Sequence, residues 1–257
     1  AMEKRFFETG HPRNLRLVSS NASGAGGNNG IGLNHFAHEG MVKTAIIGHW
    51  NMIQRLGQMV VDEKIEGYNL PLGVMEQMWR DIAAHRPGTL THVGLHTFVD
   101  PRIEGAKLNS ISKEDLIDLV EINGEEKLLY KSFPIHMAFL CGSFADENGN
   151  ISSSREIGPL GLTAIAQAVH NSGGKVIVQV GHLVGNGTFN PQNVKVPGIL
   201  VDYVVVAGDS EDQNQSIGYL YDGAISGEYR SPQGSIKFPP LNERKAIARR
   251  AAMELMN

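Results

Sequence analysis

The residue types able to do chemistry crowd into residues 94–109, GLHTFVDPRIEGAKLN. Asp100 and Glu104 supply carboxylates there, and Arg102 and Lys107 supply cations that could clamp an anion. Glu104 is the one carboxylate placed as a candidate nucleophile. Asp100 and Arg102 could equally pair with each other inside the segment. Pro101, Gly94 and Gly105 forbid a long regular element. A polar segment of this kind after an apolar strand reads as a surface loop with a functional role.

Residues 23–32, SGAGGNNGIG, could present backbone N–H groups to a phosphate or carboxylate. Gly24 and Gly26 fit a dinucleotide fingerprint, but Asn29 stands where its third glycine belongs. No acidic residue lies at the distance needed to hold a ribose, and the Gly-Lys-Ser/Thr of a P-loop is missing. A plain connection remains open beside a ligand-facing one. His35, His38 and Glu39, with His49 nearby, share a helical face. Their order is not the zincin one, which favours hydrogen-bonded structural histidines over metal ligands. Asp146, Asn148 and Asn150 alternate like the start of a calcium loop. The glycine is misplaced and no bidentate glutamate follows, so a turn is the better reading. There is no Gly-x-Ser-x-Gly elbow, and Cys141 lies in an apolar strand as a core thiol.

The elements that must position these groups alternate along the chain. Residues 15–19, 45–48, 65–70, 92–95, 137–144, 175–180 and 202–207 read as short buried strands. Residues 50–63, 74–84, 113–120, 162–171 and 243–256 read as helices. Ser112 would cap the third of these, and Ser172-Gly173-Gly174 would stop the fourth. Strands alternating with helices predict an α/β fold, an open, mainly parallel sheet with helices on both faces. A β-hairpin turning at Asn123-Gly124 interrupts the alternation.

With 257 residues, 41% of them hydrophobic, the chain suits one large domain or two small ones, with ample core either way. Its net charge of −4 argues against a nucleic-acid partner, which needs a basic face. No apolar run approaches a membrane span. The single cysteine excludes an internal disulfide and fits a cytoplasmic location. The opening residues read as the tail of a helix.

Six segments taken in order carry a family resemblance: residues 33–50, 94–109, 124–134, 145–152, 171–180 and 194–206. Across nearly the whole of 1–257 the chain resembles the N-terminal (alpha) half of the family I CoA-transferases, of the acetate/propionate and 3-oxoacid type. The resemblance implies an open-sheet α/β fold and exchange of CoA between a short-chain acyl-CoA and a carboxylic acid. In that chemistry a glutamate attacks the thioester, and an acyl-anhydride gives way to a glutamyl-CoA thioester. The nucleophile belongs to the C-terminal (beta) half, so no catalytic residue carries over and the chain alone should be inactive. CoA and acyl-CoA are then substrates, with no permanently bound cofactor and no metal. The implied partner is a second half or subunit, in an oligomer. The family's glycine-rich N-terminal motif would lie ahead of Ala1.

The resemblance places Asn21, Gly24, Leu72, Gly94, His96, Thr97 and Phe98 at the substrate. It also exposes departures. Leu72 stands where glutamine is common, and His96 and Ala106 stand where glycine is usual. A leucine cannot hydrogen-bond a carboxylate, so Leu72 would favour a more apolar acid than acetate. Two other readings stay open: a CoA-transferase-like binding domain that has lost its chemistry, and an NAD-binding oxidoreductase.

Overall fold

The computed structural model describes residues 1–21, 32–156, 158, 161–208, 222–235 and 237–255. They fall into two units, Ala1–Tyr221 and Asp222–Asn257.

The first unit opens with helix α1 (Met2–Thr9), which ends on Gly10 in the left-handed conformation with its N–H bonded to Phe6 O. Strands β1 (Leu15–Ser19), β2 (Val42–Ile47) and β3 (Glu66–Asn69) then form a parallel sheet in that order. Helix α2 (Gln54–Val61) supplies the crossover from β2 to β3, and helix α3 (Leu72–Ala83) follows β3. Side chains alternate across a strand. Ala45 and Ile47 therefore pack with Leu56 and Val60 of α2. Ile46 and Tyr68 pack with Met75, Met78 and Trp79 of α3. Both faces of this sheet are covered, the usual condition of parallel strands.

Strands β4 (Gly88–Thr91), β5 (Ile117–Ile122) and β6 (Glu125–Lys131) form a small antiparallel sheet ordered β4-β6-β5. The β5–β6 hairpin turns at Asn123 and Gly124, both with positive φ, where the sequence places it. A third sheet has the order β10-β8-β7-β9-β11. It comprises β7 (Met137–Asp146), β8 (Ile151–Ser152), β9 (Lys175–Val184), β10 (Val194–Val196) and β11 (Tyr203–Val206). Its β7-β9-β11 portion is parallel. Helix α4 (Leu162–Asn171) packs on one face, through Leu162, Ala166 and Val169 against Leu140, Val176 and Val178. The second unit holds the short α5 (Gly223–Ser226) and α6 (Glu243–Glu254), the latter capped by Asn242 Oδ1 accepting from Lys245 N.

The α/β class with parallel strands and packed helices is therefore present, with its strands divided among three sheets. Two expectations change. Residues 113–120 are not a helix, and β5 occupies Ile117–Ile122. The β-branched Ile117, Val120 and Ile122 pair with β6, and Ile117 is buried. Ser112 does not cap a helix: Gly67 N donates to its Oγ at 2.9 Å, and that Oγ lies 2.6 Å from Asn109 Oδ1. The strand expected at 92–95 is instead a turn, because Gly94 and His96 take positive φ; the strand lies just before it, as β4. The turn reading of 146–150 holds. Asp146 Oδ1 accepts from Asn148 N and Asn150 N, and Oδ2 accepts from Asn150 Nδ2.

Candidate functional site

The carboxyl ends of β1, β2 and β3 converge on the start of α3. Open parallel sheets place their ligands at such an edge. Gly48, just after β2, donates from its N–H to Ser19 O at 3.0 Å. A Cβ at Gly48 would stand 2.5 Å from Ser20 O and 3.3 Å from Leu72 Cα, so only glycine lets the three segments close up. Asn69 Nδ2 donates to Ile47 O at 2.9 Å, pinning the end of β3 to that of β2. Ser20 Oγ donates to Glu76 Oε1 on α3. The other oxygen of Glu76 lies 2.5 Å from where a Cβ on Gly161 would be, and Gly161 is the left-handed N-cap of α4. One carboxylate thus ties the end of β1 to α3 and lies close beside the start of α4.

Helix α3 begins after Pro71 with no side-chain cap, so its first N–H groups are left for another acceptor. Leu72, its first residue, is 38% exposed at this edge. Asn21 is exposed directly after Ser20. Gly24, with the rest of residues 22–31, lies outside the described residues.

The loop 94–109 is held from two sides. Tyr130 Oη donates to Val93 O at 2.7 Å, and Gly94, with φ 100, passes so close that a Cβ would sit 2.5 Å from that oxygen. Burial pushes the Tyr130 phenol well above its usual pKa. Thr97 Oγ1 donates to Gly94 O, and His96 N donates to Asp100 Oδ2. Phe98 is 40% exposed, and its carbonyl accepts from Ala106 N. Asp100 is wholly buried, with Arg102 donating to both of its oxygens. That guanidinium, helped by the N–H groups of His96 and Arg102, holds the Asp100 carboxyl well below the usual range. Arg102 Nη1 is spent on Glu126 and Lys107 Nζ on Asp115, so neither cation is the anion clamp that its type and spacing suggested.

The far end of the loop lies against β3. Asn69 N donates to Ala106 O at 3.0 Å, Leu108 N donates to Gly67 O at 2.9 Å, and Lys107 bridges Tyr68 antiparallel. Ala106 therefore meets the same Asn69 whose side chain holds the end of β2. Leu72 and Asn21 belong directly to the strand-end cluster. Residues Gly94, His96, Thr97 and Phe98 belong to a loop anchored on it through Ala106. Sequence reasoning missed Ser20, Gly48, Asn69 and Glu76. The available signals were a glycine ending an apolar strand and an Asn just before Leu70-Pro71.

The histidines of residues 35–38 face α1. His35 Nδ1 and His38 Nε2 each lie 2.6 Å from an oxygen of Glu3, which His38 and then His35 hold below its usual pKa. Among the described residues, no three of His, Cys, Asp and Glu are grouped to hold a metal ion. No helix among them is long and apolar enough to cross a membrane.

The sequence pattern described as Coenzyme A transferase matches residues 8–207. The chain is 48% identical over 257 residues to a caffeate CoA-transferase of Acetobacterium woodii, covering 99% of this chain and 48% of that protein. It is 41% identical over 260 residues to the acetate CoA-transferase YdiF of Escherichia coli K12, covering 99% of this chain and 47% of that one. The crystal structure of the acyl-CoA transferase YdiF from E. coli O157:H7, in a thioester complex with CoA, superposes with a TM-score of 0.89 at 40% identity. That superposition covers 99% of this chain and 50% of YdiF. The chain spans about half the length of the relatives it matches, and it belongs to the Coenzyme A transferase family.

Proposed function

We propose that this chain is the alpha half of a CoA-transferase that moves CoA between an acyl-CoA and a carboxylic acid. The nucleophilic glutamate is supplied by a second, beta half. That glutamate attacks the acyl-CoA carbonyl and expels the CoA thiolate, leaving an acyl-glutamyl anhydride. The thiolate then attacks the glutamyl carbonyl, giving a glutamyl-CoA thioester and releasing the first acid. The second acid takes the CoA by the reverse steps. The alpha half contributes binding surface, and the exposed first turn of α3 offers N–H donors to a carboxylate or thioester oxygen. The assembly is a cytoplasmic oligomer that holds CoA only as substrate.

One observation carries this division of labour. The carboxylates built into the site are already bonded, Asp100 by Arg102 and Glu76 by Ser20. A nucleophile must be unengaged and oriented at the thioester, and neither of these is. Glu104, the sequence candidate, is exposed on the loop.

Leu72 marks the substrate class. It places an apolar side chain at the strand-end edge, which favours an acid with a more apolar acyl group than acetate. One relative is named for caffeate and another for acetate, so members of this family differ in the acid they take.

The test is an acyl-CoA/acid exchange assay on the chain with and without its second half, with hydroxylamine trapping of the glutamyl thioester. Exchange should require both halves, and the trapped glutamate should map outside this chain. Exchange by the chain alone would refute the assignment.

A further inference from the structure

Glu76 lies one turn after Leu72 on α3, and residues four apart share a helix face. Arg80, one turn further on, donates to the main-chain oxygen of Glu76 at 3.0 Å. What meets the Glu76 carboxylate is Ser20 Oγ on one oxygen and the backbone of Gly161 beside the other. Gly161 leaves the room that the second oxygen needs, since a Cβ there would stand 2.5 Å from it. Ser20 is 6% exposed and is held at both ends. Its Oγ donates to Glu76, and its carbonyl oxygen abuts Gly48, whose N–H is bonded to Ser19 O at 3.0 Å. Ser19 Oγ donates to Asn21 O. The chain therefore passes in one step from a buried, fixed residue to the exposed Asn21. These bonds set the direction in which Asn21 leaves the strand. The Ser20–Glu76 bond joins the strand that ends at Asn21 to the helix that begins at Leu72, across 56 residues of sequence.

We propose that Glu76 is a positioning residue for the acid substrate: through Ser20 it fixes the spacing and direction of Asn21 against Leu72. The inference rests on the CoA-transferase reading above and deepens it by a residue that does not itself touch substrate. Two groups that grip one ligand from different elements bind it well only if their separation is fixed beforehand. A side chain that reaches from α3 to Ser20 supplies that constraint, and its length and its acceptor oxygen are what the role requires. Without Glu76 the Ser20 hydroxyl loses its acceptor in a packed site, and the strand end must shift to find another.

The chain with its second half is assayed for acyl-CoA/acid exchange at varied acid concentration. Glu76→Ala and Ser20→Ala should each raise KM for the acid about tenfold while kcat changes less than about threefold. The double variant should be no worse than the weaker single, because the two side chains act as one unit. Glu76→Gln keeps the length and one acceptor oxygen, so its KM should stay within about threefold of the parent. Gln77→Ala, at the exposed neighbouring position, should behave as the parent does. A role confined to stability would lower kcat through loss of folded enzyme and leave KM alone, and that result overturns the assignment. Unchanged KM in Glu76→Ala, additive effects in the double variant, or a Glu76→Gln as impaired as Glu76→Ala overturn it too. Hydrogen exchange on the chain by itself gives a readout that needs no activity. The Gly48 amide should exchange faster in Glu76→Ala and Ser20→Ala, and unchanged protection there also refutes the positioning role. If the unsubstituted assembly exchanges no CoA, the CoA-transferase reading fails, and the Gly48 amide alone then decides whether Glu76 holds the strand end.

Discussion

Arg102 grips Asp100 side-on, with Nε donating to Oδ1 at 3.0 Å and Nη2 to Oδ2 at 2.7 Å. The buried carboxylate also accepts from the N–H groups of His96 and Arg102, so one side chain fixes both halves of the loop bend. Its folded pKa lies below the unfolded value of about 4. The associated stability is therefore complete above about pH 4 and drains away as pH falls through the folded value. Asp100→Asn should cost about 2 kcal/mol at neutral pH, since it weakens several hydrogen bonds to a charged, buried acceptor. Melts recorded from pH 7 to pH 3 should fall more steeply for the parent than for the variant. Parallel curves would show that the pair contributes nothing through its charge.

Two glycines should respond in opposite directions to alanine. Gly48→Ala puts a methyl group 2.5 Å from Ser20 O, a backbone atom that can retreat only by opening the strand-end cluster. A loss of about 1–3 kcal/mol is expected from the overpacking. Gly57 lies inside α2, where a Cβ would meet nothing closer than Trp50 Cε3 at 3.8 Å. Gly57→Ala should raise stability by about 0.5–1 kcal/mol through helix propensity and a less flexible unfolded chain. Chemical denaturation of the two variants beside the parent checks both signs.

The left-handed turn at 94–96 makes a second contrast. His96 holds φ 62 with a side chain, at a position where the family resemblance implies glycine. His96→Gly should raise stability by about 0.5 kcal/mol, the relief of left-handed strain being offset partly by unfolded-state entropy. Gly94→Ala should lose about 2 kcal/mol, because its φ of 100 is disfavoured for any side chain and Tyr130 Oη blocks the space. Denaturation midpoints decide each case, and a stabilised Gly94→Ala would contradict the described turn.

What the sequence made legible is what is written locally. Helix α4, strand β1 and the Asn123-Gly124 hairpin follow from periodicity and turn chemistry within a few residues of each site. Residues 113–120 misled because Ser112 and Asp115 imitate a helix start. The outcome there was set by the distant Gly67, which bonds Ser112 Oγ, and by β6, which pairs with Ile117. The division into three sheets depends on pairings between remote strands, which no local pattern encodes. The site divides in the same way. The resemblance pointed to Leu72 and Asn21, and both lie at the strand-end edge. Nothing pointed to Glu76, because its role arises only where Ser20, α3 and Gly161 meet.

Leu72 supplies the sharpest functional prediction. It is the first residue of α3, partly exposed, and its Cα lies in contact range of the Gly48 position. A glutamine there would bring an amide able to donate to a substrate carboxylate, and a hydrogen bond to a charged group is worth about 1.5–3 kcal/mol. Leu72→Gln, measured on the chain together with its second half, should shift relative kcat/KM toward acetate and away from bulkier apolar acids by about tenfold or more. The melting temperature should barely move, because the side chain is not part of the packed core. The exchange assay is run with a series of acids of rising apolar size at fixed acyl-CoA, so that a general loss of activity separates from a change of preference. An unchanged order of preference would remove Leu72 from the specificity pocket.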